Sequence, residues 1–524
     1  MVLLPLLAVL GVGCGEEELP PRPEPLAPLP AATVATTERF ADSGQCAQCH
    51  LADGGAVLRD PAGRDISPVG TWRASMMALA ARDPFFLAVV SQERQDADPQ
   101  LVDSTCLRCH APGGHEQSGG ALTFDELLTG TSPAAVLGRD GVTCSLCHQI
   151  KADRFGNDSS FTGGFVVGSE RQIFGPHNAV AEEPMRFFVN YVPTYASHVG
   201  RAELCGTCHT VIVKGVVEQA TYLEWRASSF SPSKPCQWCH VPQVDEEQKA
   251  ISEPIAKYPA NLSARTPYGR HEFMGGNAYL LRLMAQNEAW AQTGVPPADL
   301  QRAIAAAETH LRGAAKLTST EVTRSGDGAS FRVVVENLTG HKLPTGYPSR
   351  RMWLHVVVRA AGKVVFESGA LDSAGRLAGD DEGRIRLHYD VIDRADRVQV
   401  WGATLVDADD NPTHRALVAR RIGRDDRILP MGFFPLGNDA LRTATVGVYG
   451  DADFLPGRDG VRFNLRSVPA GAEVEVALLY QTLTRSLVEQ IDRGRTPATT
   501  AFVDMARALP PEPLTMATLT FTLP

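Results

Sequence analysis

The sequence predicts an α+β multidomain chain in which a mostly helical and irregular region precedes an antiparallel β-sandwich domain. Its length of 524 residues is enough for two to four domains, each with its own core. Ten of its eleven cysteines lie between Cys46 and Cys239, so one part of the chain carries almost all of the thiols. After about residue 317, apolar and polar residues alternate with the period of β-strands.

The overall composition is that of a folded globular protein. Hydrophobic residues make up 44% of the chain and charged residues 21%, which excludes a disordered or fibrous protein. The formal net charge is −10, and the sequence has no run rich in Lys and Arg. Because phosphate contacts need a basic surface, we do not expect nucleic acid as a partner.

The N-terminus predicts export. Residues 1–14 resemble a lipoprotein-type signal, because residues 2–13 are almost wholly apolar and Cys14 follows them. The basic residues that usually open such a signal are missing, so an export signal without lipidation is the alternative. Residues 15–40 are rich in proline, and we expect an extended tether there. The sequence thus predicts a protein held to the membrane through a lipid on Cys14, in the periplasm or on the outer membrane surface of a bacterial cell envelope.

Five C-x-x-C-H motifs account for the clustered cysteines. Two thiols at this spacing lie on one side of a helical turn and can reach both vinyl groups of one porphyrin, while the next residue presents an imidazole to the iron. Structural zinc would not require a histidine after every pair, and disulfides would not require the fixed spacing. We therefore predict five covalently bound c-type haems, which implies attachment outside the cytoplasm. The motif residues are Cys46, Cys49 and His50; Cys106, Cys109 and His110; Cys144, Cys147 and His148; Cys205, Cys208 and His209; and Cys236, Cys239 and His240.

These motifs define the domain boundaries. Residues 41–316 would form a pentahaem cytochrome c domain, and residues 317–524 would form the β-sandwich domain. So short a region for five haems leaves little room for a conventional apolar core, and the porphyrins would form much of it. Haems packed that closely exchange electrons, whatever else the protein does.

Each motif histidine supplies one axial ligand, and an iron that is closed on both faces needs a second ligand. Four candidate histidines lie inside the haem region before residue 298, and another lies in a loop after the first predicted strand of the β domain, where glycine and proline interrupt the strand pattern. A methionine on a predicted helix over residues 72–81 is the sixth candidate, because a thioether also binds haem iron. The candidate distal ligands are Met77, His115, His177, His198, His271 and His341.

We interpret the other histidines as structural. His310 lies on a predicted helix over residues 298–315, beside the apolar stripe of that helix, so we expect it to be a neighbour of the stripe and not a ligand. His355 lies in a predicted strand, and His388 and His414 are given no ligand role.

Short runs of strand-forming residues separated by turns predict the β domain. The tripeptide Ala360-Ala361-Gly362 is typical of a hairpin between two of these runs, and we expect no long helix in this domain. The segment from Asp407 to Pro412 superficially resembles a calcium loop, but it lacks the glycine at the sixth position, so we predict a hairpin turn. The predicted strands cover residues 352–358, 363–367, 397–406, 414–421, 473–483 and 515–523.

Several segments resemble multihaem cytochromes c of the cytochrome c-554 type (cytochrome c-552/4 domain) that carry a C-terminal β domain. The resemblance covers the haem region and the start of the β domain, and it implies electron transfer outside the cytoplasm. It does not imply one substrate, because the relatives include carriers, reductases and oxidases. These relatives commonly carry a histidine ligand where Met77 stands here, and they carry a histidine at the place of His341. The matching segments are WRASMMALAARDPFF (72–86), GVTCSLCHQ (141–149), ELCGTCHT (203–210), ATYLEWRASSF (220–230), CQWCHVP (236–242), HEFMGGN (271–277) and NLTGHKLPTGYPSRRMWLHV (337–356).

Two functions are compatible with the sequence. As an electron-transfer protein, the chain would relay electrons between other redox proteins of the cell envelope, and the β domain could then serve as a docking module. As a multihaem oxidoreductase, it would reduce or oxidise a small nitrogen or sulfur compound at an open haem. Six candidate distal ligands for five irons favour the carrier, so we assign no catalytic residue.

Overall fold

The structure is a computed structural model that describes residues 19–380 and 384–524. Cys14 and the predicted signal over residues 1–14 lie outside the described residues. The described chain is a mixed α+β protein, in which a region of short helices precedes a region of long strands. None of the helices in these two stretches has both the length and the apolar character needed to cross a bilayer.

The region with the five motifs consists of short helices joined by long irregular segments. Several of these helices begin with a capping side chain followed by proline, as at Asp98 and Pro99, where the Asp98 carboxylate accepts from the Gln100 N–H. The helices are α1 (Ser43–His50), α2 (Pro68–Trp72), α3 (Pro84–Asp96), α4 (Pro99–His110), α5 (Pro112–Gln117), α6 (Phe124–Thr129), α7 (Pro133–Arg139), α8 (Cys144–Cys147), α9 (Glu182–Val189), α10 (Ala202–Gly206), α11 (Thr221–Arg226), α12 (Cys236–His240), α13 (Ala278–Gln286), α14 (Glu288–Ala291) and α15 (Pro297–Arg312). Small sheets pair β1 (Ile150–Lys151) with β2 (Val166–Val167), β3 (Gln172–Gly175) with β4 (Val192–Tyr195), and β5 (Val211–Val213) with β6 (Val216–Gln219).

The helix predicted over residues 72–81 is wrong. Helix α2 ends at Trp72, the following residues form a series of turns, and α3 begins only at Pro84. The hydroxyl of Ser75 accepts a hydrogen bond from the Ala78 N–H, which replaces a helical backbone bond with a local side-chain bond. Helix α15, by contrast, forms close to the predicted range and buries the predicted apolar stripe.

The second region is built on two packed sheets. The larger has the order β13-β12-β9-β16-β17, with β10 on β9 and β14 on β12, and the smaller has the order β11-β15-β8-β7. Both contribute to one apolar core. The elements are β7 (Ala315–Ser325), β8 (Gly328–Asn337), β9 (Arg351–Ala360), β10 (Lys363–Ser368), β11 (Val391–Ile392), β12 (Val400–Val406), β13 (Pro412–Thr413), β14 (Arg421–Asp425), α16 (Asn438–Arg442), β15 (Arg458–Leu465), β16 (Glu473–Gln481), α17 (Arg485–Asp492), α18 (Pro497–Ala508) and β17 (Leu514–Thr522).

The alternation that predicted strands is confirmed in β8, where Phe331, Val333 and Val335 are fully buried. The hairpin at residues 360–362 joins β9 to β10, and the Asp407 turn joins β12 to β13, as predicted. One pair departs from the predicted antiparallel sandwich, because β11 runs parallel to β15.

The predicted strand over residues 414–421 and the expectation of no long helix are both wrong. The His414 imidazole lies 2.8 Å from Gln92 Oε1, and the Leu417 N–H donates to the Glu93 carboxylate, so this segment bonds to α3 and not to a sheet. Helix α18 is one of the longer helices described, and it packs on α3, with the rings of Phe85 and Phe502 5.6 Å apart.

The proline-rich segment also needs a correction. Residues 15–40 were expected to form an extended tether, but the described part lies against the folded body. The Leu26 N–H donates to the Pro497 carbonyl, the Trp290 indole donates to the Leu26 carbonyl, and Leu29 is buried. Arg22 forms an ion pair with Asp492 at 2.9 Å. Proline prevents regular structure here, yet each leucine still gains free energy when it is buried.

Candidate haem-binding cavity

One continuous cavity of about 1270 Å³ runs through the helical region and reaches the loop after β8. All ten motif cysteines and all five motif histidines line it. Its volume exceeds the roughly 300–1,000 Å³ of a pocket for one drug-sized ligand. Apolar side chains dominate the rest of the wall. The donor set and the size therefore fit several covalently attached porphyrins.

Three of the five motif histidines already hold the proton arrangement that iron ligation needs. Nδ1 of His50, of His148 and of His240 lies 2.6–2.7 Å from a backbone carbonyl oxygen. Because a carbonyl can only accept, Nδ1 carries the proton in each ring, and Nε2 keeps its lone pair. The carbonyls belong to Ile255, Phe174 and Met274, all remote in sequence from the motifs they orient.

Burial keeps these imidazoles neutral. It lowers the pKa of His240 to about 3, with a further contribution from neighbouring imidazoles, and the pKa of His110 to about 4. A neutral imidazole is the form that binds a metal ion. The cavity therefore holds these rings ready for iron without a proton to displace.

The motifs are adjacent in space in an order that differs from the sequence. The thiols of Cys46 and Cys144 are electrostatic neighbours, so the first motif adjoins the third. The fourth motif adjoins two others in the same way, because Cys208 is a neighbour of Cys109 and Cys205 is a neighbour of Cys236. Cys147 of the third motif is a further electrostatic neighbour of the fourth.

Two histidines face motif histidines across a gap that fits one iron. An imidazole nitrogen lies about 1.1 Å from its ring centre and a metal–imidazole bond is about 2.0–2.1 Å long, so two rings on one iron have centres about 6.3 Å apart. The centres of His148 and His271 are 6.2 Å apart, and those of His240 and His341 are 6.5 Å apart.

The same two histidines also present the correct nitrogen. Nδ1 of His271 donates to the Gly269 carbonyl at 3.2 Å, and Nδ1 of His341 donates to the Lys342 carbonyl at 2.9 Å. Each ring thus leaves its Nε2 lone pair unused by these bonds. Burial lowers the pKa of both imidazoles. The structure therefore places two predicted distal candidates opposite the third and fifth motifs.

His310 also lines the cavity, although the sequence placed it beside the apolar stripe of α15. Its ring centre is 5.2 Å from that of His240, with an angle of 55° between the planes. That separation is too short for an iron midway between the rings. The sequence signal that could have identified His310 as a cavity residue was its position three residues after the buried Ala307, which sets it at the edge of the buried face of α15.

The remaining candidates divide into two groups. Met77 and His177 line the cavity, but His115 and His198 do not. Nε2 of His198 donates to the Ile150 carbonyl at 2.8 Å, so the nitrogen that would bind iron is engaged. His115 is buried inside the α5 segment, where its ring packs close to Gly120. Proximity in sequence to a motif did not bring either ring to the cavity, so the structure does not support these two as ligands.

The loop that carries His341 is fixed by buried charges. Glu224 of α11 accepts from the Lys342 N–H at 3.1 Å and from the Thr345 hydroxyl at 2.7 Å. Its other oxygen pairs with Arg427 at 2.9 Å. Asp425 in turn pairs with the ammonium group of Lys342 at 2.6 Å and with Arg427 at 2.7 Å. We call these four charged residues the clamp.

Acidic side chains line another part of the wall, near the second motif. Burial raises the pKa of Glu218 and of Asp83 to about 7, and the guanidinium of Arg350 acts against this in both cases. Nε of Arg350 is buried and has no hydrogen-bond partner within residues 19–380 and 384–524. Tyr347 lines the wall beside Glu218. No motif in the sequence marks these groups, because they become neighbours only through the fold.

Comparison with known proteins identifies the fold. No family model matches the sequence, and no curated protein matches it. Among solved structures, the penta-heme cytochrome c552 from Thermochromatium tepidum is similar, with a TM-score of 0.52 and 18% sequence identity. The match covers 93% of this chain and 99% of that chain. The chain therefore has the fold of a multihaem cytochrome c, while the resemblance to the cytochrome c-554 type stays a prediction.

Proposed function

We propose that the protein is a c-type cytochrome that transfers electrons outside the cytoplasm by means of five covalently bound haems. The observation that carries this proposal is the single cavity lined by all fifteen motif residues. When bound, such haems supply one-electron redox chemistry. Attachment residues from different motifs are electrostatic neighbours, which favours transfer between neighbouring sites within the chain.

The thiol contacts support a branched relay. The first motif adjoins only the third among the contacts described above, whereas the fourth adjoins the second, third and fifth. The fourth motif, with Cys205 and Cys208, would therefore be the junction. At the fifth motif, Cys239 is exposed and Trp238 is 61% exposed, so another redox protein of the cell envelope could approach there.

The distal side supports a carrier over an enzyme. His271 and His341 have the separation and tautomer expected of ligands that close an iron on its second face. An iron closed by two imidazoles can pass electrons but has no position for a substrate.

A second candidate function is supported by the acidic wall near the second motif. Asp83 and Glu218 have pKa values raised to about 7, which suits proton transfer near neutral pH, and Arg350 could hold an anion. These residues would serve an oxidoreductase that acts on a small nitrogen or sulfur compound. The chain would then combine one open site with a relay of closed ones.

The spin state of the ferric protein separates the two functions. We expect electron paramagnetic resonance of the air-oxidised holoprotein to show only low-spin signals, unchanged by nitrite, hydroxylamine or sulfite. A high-spin signal that one of these compounds alters, and whose response weakens in Glu218→Gln, would reject the pure carrier in favour of the oxidoreductase.

Location and partners are proposals as well. We infer that the mature protein is held in the cell envelope by a lipid on Cys14. In that case Cys14→Ser should move the protein from the membrane fraction to the soluble extract. An unchanged membrane fraction would reject the anchor and leave the haem proposal untouched.

A further inference from the structure

The β domain encloses a second group of chemistry-bearing side chains, which do not line the cavity. Nδ1 of His388 lies 3.1 Å from the Asp426 carboxylate, and Nε2 lies 2.9 Å from Asp451 and 4.0 Å from Asp459. The side chain of His388 is 4% exposed, and those of the three acids are at most 1% exposed. An imidazole thus lies among buried carboxylates.

The donor atoms of this group converge. One atom each from His388, Asp451 and Asp459 lies within 4.8 Å of the others. In a second group, one donor atom each from Asp390, Asp451 and Asp453 also lies within 4.8 Å of the others. Bonds of about 2.0–2.2 Å to one cation would place donors up to about 4.4 Å apart, so small side-chain movements suffice.

Two oxygens of these groups, one on Asp390 and one on Asp459, lack a hydrogen-bond partner among the described residues. Asp459 is fully buried, and its Oδ2 accepts from the indole N–H of Trp401 at 2.6 Å. Its Oδ1 is buried and has no hydrogen-bond partner among the described residues. A buried carboxylate oxygen left unpaired is costly, and a bound cation is one way to satisfy it.

The charge balance points the same way. Of the five carboxylates, Asp426 and Asp453 each have a guanidinium partner of their own. The cation next to Asp390, which is Arg462 on β15, is paired elsewhere. Three carboxylates therefore remain opposite one imidazole, and a divalent cation in place of the Nε2 proton would reduce three negative charges to one. The pairs are Arg424 with Asp426, Arg332 with Asp453, and Arg462 with Glu321.

We propose that His388, Asp451 and Asp459 bind a divalent cation of the Mn²⁺ or Zn²⁺ kind, with Asp390 as a further oxygen donor. Asp426 and Gln399 would act behind the site, because the Asp426 carboxylate lies 3.1 Å and the Gln399 amide nitrogen 2.8 Å from Nδ1, which holds the ring from behind and turns Nε2 toward a metal. A mixed set of imidazole and carboxylate donors suits these cations better than Ca²⁺, which prefers oxygen alone.

The place of the site in the fold gives the cation a structural role. Asp459 lies on β15 of the smaller sheet, and its partner Trp401 lies on β12 of the larger sheet. His388 lies three residues before β11 begins, and Asp451 lies in the loop before β15. A cation here would join segments of both sheets that are far apart in sequence.

Metal analysis of the purified holoprotein tests this proposal. The protein is stripped with a chelator, dialysed against Zn²⁺, Mn²⁺ or Ca²⁺ separately, and analysed for each metal against protein concentration. We expect about one Zn²⁺ or Mn²⁺ per chain, a higher melting temperature with the metal, and at least tenfold weaker binding in Asp459→Asn and His388→Gln. Asn can still accept from Trp401, so Asp459→Asn removes the charge with little change of shape.

The exposed turn at Asp407 provides the matched control. Asp409→Asn changes one acid in another acidic cluster and should bind as the wild type does. The proposal would be overturned if Asp409→Asn also weakened metal binding, or if the protein bound only Ca²⁺. It would also be overturned if the wild type bound the metal no more strongly than Asp459→Asn does. If the site variants do not fold, the wild type still decides, because a melting temperature unaffected by chelator and absence of bound metal would reject the site.

Discussion

The carboxylate of Glu224 accepts a hydrogen bond from the backbone N–H of Lys342, so a helix of the cytochrome region holds the loop that carries His341. The two residues are 118 positions apart in sequence, and both are fully buried. The loop belongs to the β domain, whereas the imidazole opposite His341 belongs to the fifth motif. The clamp therefore holds the His341 loop of the β domain against α11 of the cytochrome region.

The first prediction concerns His341 and its neighbour His310. His341→Ala should convert one low-spin ferric haem to high spin, because the opposing ring of His240 would lose its partner at 6.5 Å. His310→Ala should leave the spectrum unchanged, since a ring centre 5.2 Å from that of His240 leaves too little room for an iron. Electron paramagnetic resonance and the visible spectrum measure both. A high-spin signal in His310→Ala alone would reverse the two roles.

The second prediction concerns the clamp. Glu224→Gln keeps an acceptor for the Lys342 N–H but removes the charge opposite Arg427. The loop should loosen, and limited proteolysis near residues 338–346 should become faster. Glu475→Gln is the control, because that carboxylate pairs with Arg359 at the surface, where such pairs contribute little. Equal rates of proteolysis near residues 338–346 in Glu224→Gln and Glu475→Gln would contradict a role for the clamp.

The third prediction concerns pH. Burial opposes ionisation of Asp425, but Arg427 and Lys342 outweigh it and lower the pKa of this carboxyl to about 2. The folded state thus favours the ionised form, so this contribution is present at neutral pH and is lost as the pH falls from about 4 toward 2. Unfolding monitored by circular dichroism should show this loss of stability.

Asp425→Asn provides the comparison for that pH profile. The variant should be less stable at pH 7 by about 3–5 kcal/mol, because it leaves the buried ammonium group of Lys342 without its carboxylate partner and Arg427 with that of Glu224 alone. The stability of Asp425→Asn should also change less between pH 4 and pH 2 than that of the wild type. A wild-type profile that is flat over this range would show that Asp425 does not titrate there.

The fourth prediction concerns stoichiometry. Intact mass of the mature protein should correspond to five covalent haems, and the double variant Cys236→Ala, Cys239→Ala should carry four. Cys14→Ser should retain five haems, because Cys14 is the one cysteine that belongs to no motif. Fewer than five haems in fully matured wild-type protein would disprove the count.

Local patterns in the sequence predicted much of the fold. Strand β8 alternates strictly and formed at its expected place, because burial of one face fixes its register. The segment at 414–421 failed because its polar groups bond to α3, a contact between residues more than 300 positions apart. Ser75 stopped a helix that its apolar neighbours had favoured.

The site was predictable where covalent chemistry dictates spacing and less so elsewhere. Each C-x-x-C-H motif is complete within five residues, whereas a distal ligand depends on how remote segments pack. The position of His341 opposite the fifth motif was predictable, because its loop follows directly after the end of β8. The positions of His115 and His198 away from the cavity and of His310 on its wall were not predictable, because nearness in sequence says nothing about which way a ring points.

The packing of the proline-rich segment changes how far the protein could move from a membrane. Arg22 is already held to the body by Asp492, so only the eight residues from 15 to 22 would separate a lipid on Cys14 from the folded surface. Eight residues span at most about 29 Å even when fully extended. An anchored molecule would thus sit directly above the bilayer, and it would meet redox partners by lateral diffusion in two dimensions.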